Sequence, residues 1–350
     1  MKKLALFLST FLIIVIMTGC ASNGAPDVAL KKAFAKNLST NGYNYQSEIK
    51  INKLDIKKEN ATEKVEQGLA IIQGLSMAFN GAVDSTNAKE EIIFDFRYNQ
   101  NNVDASIKFP VLVDYKKQRI YIGKSIINTL FLPPKMFEKT IMLDFSKNSQ
   151  LSKKLNRDKS GKVFMSYMQN YLNEEYFRKQ QESYKKAYVD AFSDINNSNF
   201  KYTDLNKKQI RTTLDNKDSA NLISTLVGAI VANKLNVPED KDTPAPLSGS
   251  QLKNLIMIFL YTINLQTTID SKIDNNGYVD NNNLNFNISD ISKKKFDIDL
   301  GMNISYSNFN NPHFSVDTKN ITQDIDIDEI IKMIKTKSES KKQDSKKKKK

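Results

Sequence analysis

The sequence predicts an α+β protein in which curved antiparallel sheet carries helices on one face, in one body or in two similar halves. Several segments alternate apolar and polar residues, which is typical of strands with one buried face. Between them lie segments with apolar residues at steps of three and four, which is typical of amphipathic helices. Both patterns occur before and after residues 237–250, a stretch with three prolines that marks a candidate sub-boundary.

The first part of the chain predicts a helix, a long strand, a second helix and a meander. Asp27 is a candidate N-cap for a helix that ends at Asn41-Gly42, and residues 43–51 then alternate as a strand does. Residues 62–80 return to helical spacing, so we expect them either to pack on the sheet or to form a mobile lid. Three further alternating segments predict antiparallel strands at 91–98, 103–109 and 118–122.

The middle of the chain interrupts this rhythm. Residues 126–132 are apolar and precede Pro133-Pro134, so they fit the rim of a pocket, a contact with the bilayer or the end of the core. Residues 141–145 then resemble a strand. Residues 161–192 predict one long helix with five tyrosines. Because tyrosine combines an apolar ring with a polar hydroxyl, this stripe fits either a buried core or a wet boundary.

The last part of the chain is predicted to be rich in strands. Asn276-Gly277 is a residue pair that type I′ hairpin turns favour, because both central positions of that turn have a positive φ. The apolar run at 255–263 fits either a buried helix or a central strand. The other predicted elements are strands at 200–202, 210–214, 278–288, 296–306 and 314–318 and helices at 216–235 and 325–334.

The N-terminus predicts export. Lys2 and Lys3 precede an apolar stretch at residues 4–17, which is shorter than the roughly 20 residues that a transmembrane helix needs. The small residues before Cys20, the only cysteine of the chain, resemble a bacterial lipoprotein lipobox. That resemblance implies a signal peptide at 1–19, lipidation of Cys20 and a lipidated tether at 20–26. An uncleaved anchor and an ordinary secretory signal are the alternatives.

The lipobox resemblance also implies a location. A lipid anchor such as palmitate on Cys20 would hold the body, residues 27–335, to a membrane of the cell envelope. Ala21 differs from the Asp that retains lipoproteins at the inner membrane, so the outer membrane, facing periplasm or surface, is expected in a Gram-negative host. In any other bacterial host we expect the outer face of the plasma membrane.

The net charge of +13 lies mainly in the tail. Without Lys2, Lys3 and residues 336–350, the body carries about +5. The Lys-rich tail at 336–350 has no apolar residue to bury and is expected to be disordered. It suits an electrostatic contact with an anionic envelope polymer or lipid headgroups, or it only solvates the chain. Lysines without interleaved aromatic residues, on an exported chain, predict no binding of nucleic acid.

The inventory of reactive side chains is small, so the sequence predicts no enzyme, no catalytic residue, no metal and no cofactor. His313 is the only histidine, and lipidation would consume Cys20 as a nucleophile. Asp324, Asp326 and Asp328 have the spacing of a calcium loop, but Glu329 occupies the position that needs glycine and Lys335 the position of the last ligand.

The order of elements resembles the lipoprotein-carrier superfamily that includes LolA and LolB. The most similar segment is 297–317, DIDLGMNISYSNFNNPHFSVD, with an alternating strand, an Asn-Pro turn and a short closing strand. The resemblance implies a half-open sheet that holds acyl chains beneath helices, and hence an envelope lipoprotein that binds a hydrophobic or lipid-like ligand. It identifies no ligand-binding residue. The alternative is a structural or interaction lipoprotein with a filled core and no small-molecule ligand.

Overall fold

Twelve strands form a single sheet in the order β12-β6-β5-β4-β3-β2-β1-β11-β10-β9-β8-β7. The structure is a computed structural model that describes residues 24–56, 71–100, 103–123, 139–157, 159–234, 249–292 and 296–322. The strands are β1 (Gly42–Ile56), β2 (Leu75–Asp84), β3 (Lys89–Gln100), β4 (Val103–Asp114), β5 (Arg119–Ile122), β6 (Thr140–Asp144), β7 (Phe200–Tyr202), β8 (Gln209–Leu214), β9 (Ile263–Ile273), β10 (Val279–Asp290), β11 (Phe296–Ser307) and β12 (Ile321–Thr322). In this order, every pair of neighbouring strands from β6 at one end to β7 at the other is antiparallel. The short β12 pairs parallel with β6.

The long strand β1 joins the early and late parts of the chain. Tyr45 lies opposite Gly81 of β2 on one side and opposite Tyr306 of β11 on the other. A side chain at position 81 would have no room, because a Cβ there would lie 2.0 Å from the backbone oxygen of Glu91. Since β1 pairs along both of its edges, the two predicted meanders are parts of one sheet.

The helices pack in separate clusters. They are α1 (Pro26–Leu38), α2 (Gln150–Leu155), α3 (Lys159–Tyr171), α4 (Glu174–Ser193), α5 (Asn216–Lys234) and α6 (Gly249–Tyr261). One core joins Leu30 of α1 and Phe192 of α4 to Ile210 of β8. A second joins Met165 of α3 and Phe177 of α4 to residues at the ends of strands, and α5 contacts both α4 and α6.

The predicted α+β fold class, with helices layered on one face of a curved sheet and with two similar halves as an option, is wrong. Among the residues that the structure describes, strand (43%) exceeds helix (33%), and eleven strands form one continuous antiparallel sheet. The helices pack on one another and contact several strands, including β9 and β10, but they do not form a layer on a sheet face as an α+β fold has. The physical reason is the double pairing of β1, which makes a single sheet from strands that are distant in sequence.

The predicted helix at 62–80 is wrong over its last part, because β2 begins at Leu75. Leu75 and Phe79 are four residues apart, and that spacing fits both a helical period and an alternation of two. Met77 and Val83 complete the alternation, and residues 57–70 lie outside the described ranges. The predicted long helix is interrupted at Asn173, whose side chain accepts a hydrogen bond of 2.8 Å from the backbone N–H of Tyr176 and so caps α4.

Other local predictions have mixed outcomes. The strands at 43–51 and 296–306 and the hairpin of β3 and β4 are confirmed, and so is the existence of the first helix. The predicted N-cap is wrong, because Pro26 already begins the helix, Ala25 occupies the cap position and Asp27 lies in the first turn. The helix ends at Leu38, before the predicted Asn41-Gly42. The ambiguous run at 255–263 ends α6 and begins β9, and the predicted strand at 314–318 is irregular backbone. At the Asn276-Gly277 turn only Gly277 has a positive φ, so the turn is not type I′. The signal peptide, Cys20, residues 126–132, Pro133-Pro134, residues 235–248, the helix at 325–334 and the Lys-rich tail lie outside the described ranges.

Candidate functional site

One side of the sheet presents rows of apolar side chains across five neighbouring strands. The pairing register places Met302, Ile49, Met77, Phe96 and Ile107 directly beside one another, from β11 through β1, β2 and β3 to β4. Directly paired residues project to the same side of a sheet. Five strands at a spacing of about 4.8 Å span roughly 19 Å.

A second row runs parallel to the first, one pleat nearer the α1 end of β1. It consists of Ile304, Ser47, Phe79, Phe94 and Phe109. The ring centroids of Phe79 and Phe94 lie 5.5 Å apart in an edge contact, which is a favourable aromatic geometry. We call the two rows together the apolar face.

The apolar face is distinct from the four hydrophobic cores that the described residues form, because none of those cores contains a residue of either row. Most of its side chains are half-buried, and Phe96 keeps 43% of its surface exposed. A contiguous apolar patch on a folded protein commonly marks a place where a ligand, a membrane or a partner binds.

Ser47 is the polar member of the apolar face. Its side chain is only 7% exposed, and its hydroxyl has no hydrogen-bond partner among the described residues. An unpaired buried hydroxyl costs free energy, and a ligand that carries a polar group could remove that cost by pairing with it.

Tyrosines border the apolar face where β1 and β11 approach the helices. The rings of Tyr43 and Tyr306 meet edge to face with centroids 5.7 Å apart, and the hydroxyl of Tyr45 donates to the backbone oxygen of Glu91 at 3.3 Å. Burial raises the pKa of Tyr306 to about 12 and also raises the pKa of Tyr43 and Tyr45. These side chains are therefore neutral at physiological pH.

The opposite side of the sheet is polar, and the segment 308–320 lies across one end of it. The segment is held there by Glu91, which is 2% exposed. Its carboxylate accepts hydrogen bonds from the backbone N–H of Ser315 at 2.8 Å, the Ser315 hydroxyl at 3.1 Å and the backbone N–H of Val316 at 2.7 Å. Val316 then packs in a small core with Leu112 and Met142.

Two cavities lined by described residues open on this polar side. One, of about 270 Å³, lies under the segment 308–320 and is lined by Lys108, Lys139 and Asp317 among others. The other is a shallow groove of about 430 Å³ over β9, β10, β11 and β1. Both of these cavities therefore lie on the other side of the sheet from the apolar face.

The residues singled out in the sequence do not come together. His313 is exposed, and its backbone N–H donates to the side-chain oxygen of Asn44 at 2.9 Å. Cys20, Asp324, Asp326 and Asp328 lie outside the described ranges. Within those ranges, no three His, Cys, Asp or Glu side chains form a group that could hold a metal ion.

Four of the five tyrosines of the predicted long helix separate into two groups. Tyr167, Tyr171 and Tyr176 contact one another near the junction of α3 and α4, with centroid distances of 4.3 and 4.8 Å. Tyr188 packs instead against Phe34 and Phe192. The stripe is thus partly core and partly half-exposed surface.

The apolar face itself was not predicted. The signal that could have found it is the alternation of β2, because Met77 and Phe79 connect the apolar residues of β1 to those of β3. No helix in the described part of the chain is both long enough and apolar enough to span a bilayer. No known protein-family model matches the chain, and no curated protein matches it either.

Proposed function

We propose that this chain is an envelope lipoprotein, anchored through lipidated Cys20, that binds an acyl chain or a similar apolar ligand on its apolar face. The observation that carries the proposal is the pair of apolar rows across five strands, outside the four described cores. The resemblance to the lipoprotein-carrier superfamily remains a prediction that agrees with this role.

The energetics of such binding are sufficient without a specific polar contact. Burial of about 16 methylene groups at ~0.8 kcal/mol each contributes roughly 13 kcal/mol. Loss of translational and rotational freedom opposes this by at least about 4 kcal/mol, which leaves room for a Kd on the order of 1 µM. The buried Ser47 hydroxyl would gain a hydrogen bond if a polar group of the ligand reached it.

A second candidate is a structural or interaction lipoprotein that binds no small molecule. The observation that favours it is the position of the two cavities, both of which open on the polar side of the sheet. In that case a macromolecular partner would contact the outer surface, and the Lys-rich tail would contribute an electrostatic contact with an anionic envelope polymer.

Native mass spectrometry of the membrane-extracted protein and displacement of a fluorescent fatty acid distinguish the two candidates. We expect lipid to co-purify and the fluorescent fatty acid to bind with a micromolar Kd. We expect Phe96→Asp to weaken binding of this probe at least tenfold. Ile291→Asp is the matched control, because Ile291 is 74% exposed in the turn after β10 and lies off the apolar face. Absence of lipid together with equal probe binding by both variants would leave only the structural candidate.

The anchor is tested separately by intact mass analysis of the mature protein. We expect an acylated N-terminal residue 20 and release of Cys20→Ala from the membrane fraction. A soluble mature protein that begins at another residue would contradict the lipoprotein assignment and leave the ligand-binding proposal to stand by itself.

A further inference from the structure

The groove on the polar side of the sheet is lined mainly by amides and carboxylates. It crosses four strands and has a volume of about 430 Å³. Asn283 and Asn285 of β10, Asn303 of β11 and Asn52 of β1 contribute amides, and Asp270 of β9 contributes a carboxylate. We call this cavity the amide groove.

Hydrogen bonds between side chains fix the orientation of these amides. Asn285 donates to a carboxylate oxygen of Asp299 at 2.7 Å, and Asn52 donates to the same oxygen at 3.2 Å. Asn303 donates to the side-chain oxygen of Asn283. A side-chain amide has two N–H donors and two acceptor lone pairs, so each of these groups retains hydrogen-bonding capacity for a ligand.

Gly301 keeps the floor of the amide groove open. It lies in the middle of β11, where glycine weakens a strand and often marks close approach of another group. A Cβ at this position would lie 2.8 Å from the amide nitrogen of Asn52, which crosses over it at the irregularity in β1 between Ile51 and Lys53. The groove thus depends on a strand position that carries no side chain.

β10 contains more asparagine than a solvated surface requires. Asparagines occupy four alternate positions on this side of β10, at 281, 283, 285 and 287. Asparagine is depleted in strands, and threonine or lysine would solvate the same surface at a lower cost to strand stability. Repeated amides on one surface are suited to a ligand with repeated hydrogen-bonding groups.

Charge argues against an anionic ligand. Lys50, which lines the amide groove, pairs with Glu48 at 3.0 Å, and Arg211 beside it pairs with Asp270 at 2.7 Å. Since these cations are neutralised by carboxylates, the amide groove has no positive excess for phosphate or an acidic polymer. Hydroxyl and acetamido groups, which both donate and accept hydrogen bonds, fit the lining better.

From these observations we infer that the amide groove binds an uncharged glycan chain through its hydroxyl or acetamido groups. The lining contains no aromatic side chain on which a sugar ring could pack, so binding rests on hydrogen bonds that compete with water. We therefore expect a Kd on the order of 1 mM for a short oligosaccharide. This site lies on the opposite side of the sheet from the apolar face and does not rest on the proposed lipid ligand.

Saturation-transfer NMR with the full mature lipoprotein in detergent tests the inference, with chitotetraose as the probe. We expect a transfer signal that falls at least fivefold in Asn285→Ala and in Asn303→Ala. Asn287→Ala is the matched control, because Asn287 lies on the same side of β10 but outside the lining, and it should change the signal less than twofold. Gly301→Val, which fills the floor, should abolish the signal.

The urea midpoint of each variant shows whether it remains folded. If Asn285→Ala unfolds, Asn303→Ala and Gly301→Val still test the inference. Absence of a signal in the unaltered protein would overturn the inference. An equal loss in Asn287→Ala would do the same, because it would indicate weak contact along the whole strand. Stronger binding of a sulfated oligosaccharide than of chitotetraose would show that the groove selects anions and would also refute it.

Discussion

Replacement of Glu91 by Gln should release the segment 308–320 from the sheet and lower the free energy of unfolding by about 3 kcal/mol. The buried carboxylate accepts from two backbone N–H groups and one hydroxyl, and a hydrogen bond to a charged group contributes about 1.5–3 kcal/mol. Gln retains one acceptor oxygen but turns an NH₂ group toward these donors. The loss of one or two of the three bonds therefore accounts for the expected value.

Urea unfolding measures this loss, and amide hydrogen exchange at Ser315 and Val316 locates it. Protection of both amides should fall in Glu91→Gln. Glu175→Gln is the control, since Glu175 pairs with Lys179 on the exposed surface of α4 and its replacement should leave the midpoint unchanged. If Glu91→Gln behaves like this control in both measurements, the carboxylate does not hold the segment in place.

Three further outcomes are expected. Asn173→Ala removes the N-cap of α4, so it should lower the free energy of unfolding by about 1 kcal/mol and reduce helicity. Urea titration and circular dichroism measure these two changes, and Asn170→Ala is the exposed control. An unchanged urea midpoint in Asn173→Ala would contradict the role of Asn173 as a cap. Burial raises the folded pKa of Tyr306 from 10.0 to about 12, so its neutral hydroxyl contributes fully to folding stability below pH 10. This contribution, roughly 2 kcal/mol, is lost as pH rises toward 12. The urea midpoints at pH 9 and pH 11 should therefore differ less in Tyr306→Phe than in the unaltered protein, and an identical pH dependence would refute this. His313→Ala should retain biological activity and stability, and turnover of an envelope substrate that depends on this residue would refute the prediction that the chain is not an enzyme.

Local structure was predictable where one period dominated the sequence. Residues 296–306 alternate without interruption and form β11. The first helix was predicted in place but its cap was not, because Pro26 begins the helix and Asp27 lies inside its first turn. The prediction failed where two periods coincide, as at Leu75 and Phe79. It also failed at Asn173, where apolar spacing continues through a cap that ends one helix and starts another.

Long-range contacts could not be predicted from such patterns. Glu91 meets Ser315 across 224 residues of sequence, and nothing local to either residue indicates the contact. The amide groove similarly requires that Asn52 and Gly301 be brought together by the pairing of β1 with β11. The apolar face depends on β2, which lies between β1 and β3 in the sheet. Because the sequence predicted a helix at this position, both rows of the apolar face were interrupted in the prediction.

The position of β1 has a consequence for the order in which the chain can fold. The strand is complete by residue 56, but its partner β11 begins only at Phe296, so one edge of β1 stays unpaired until nearly the whole chain is available. Pairings between residues so distant in sequence are slow, and an open strand edge is prone to association with other chains. A chain shortened to end before residue 296 should therefore aggregate, whereas a chain that includes β11 can close its sheet in a single late step.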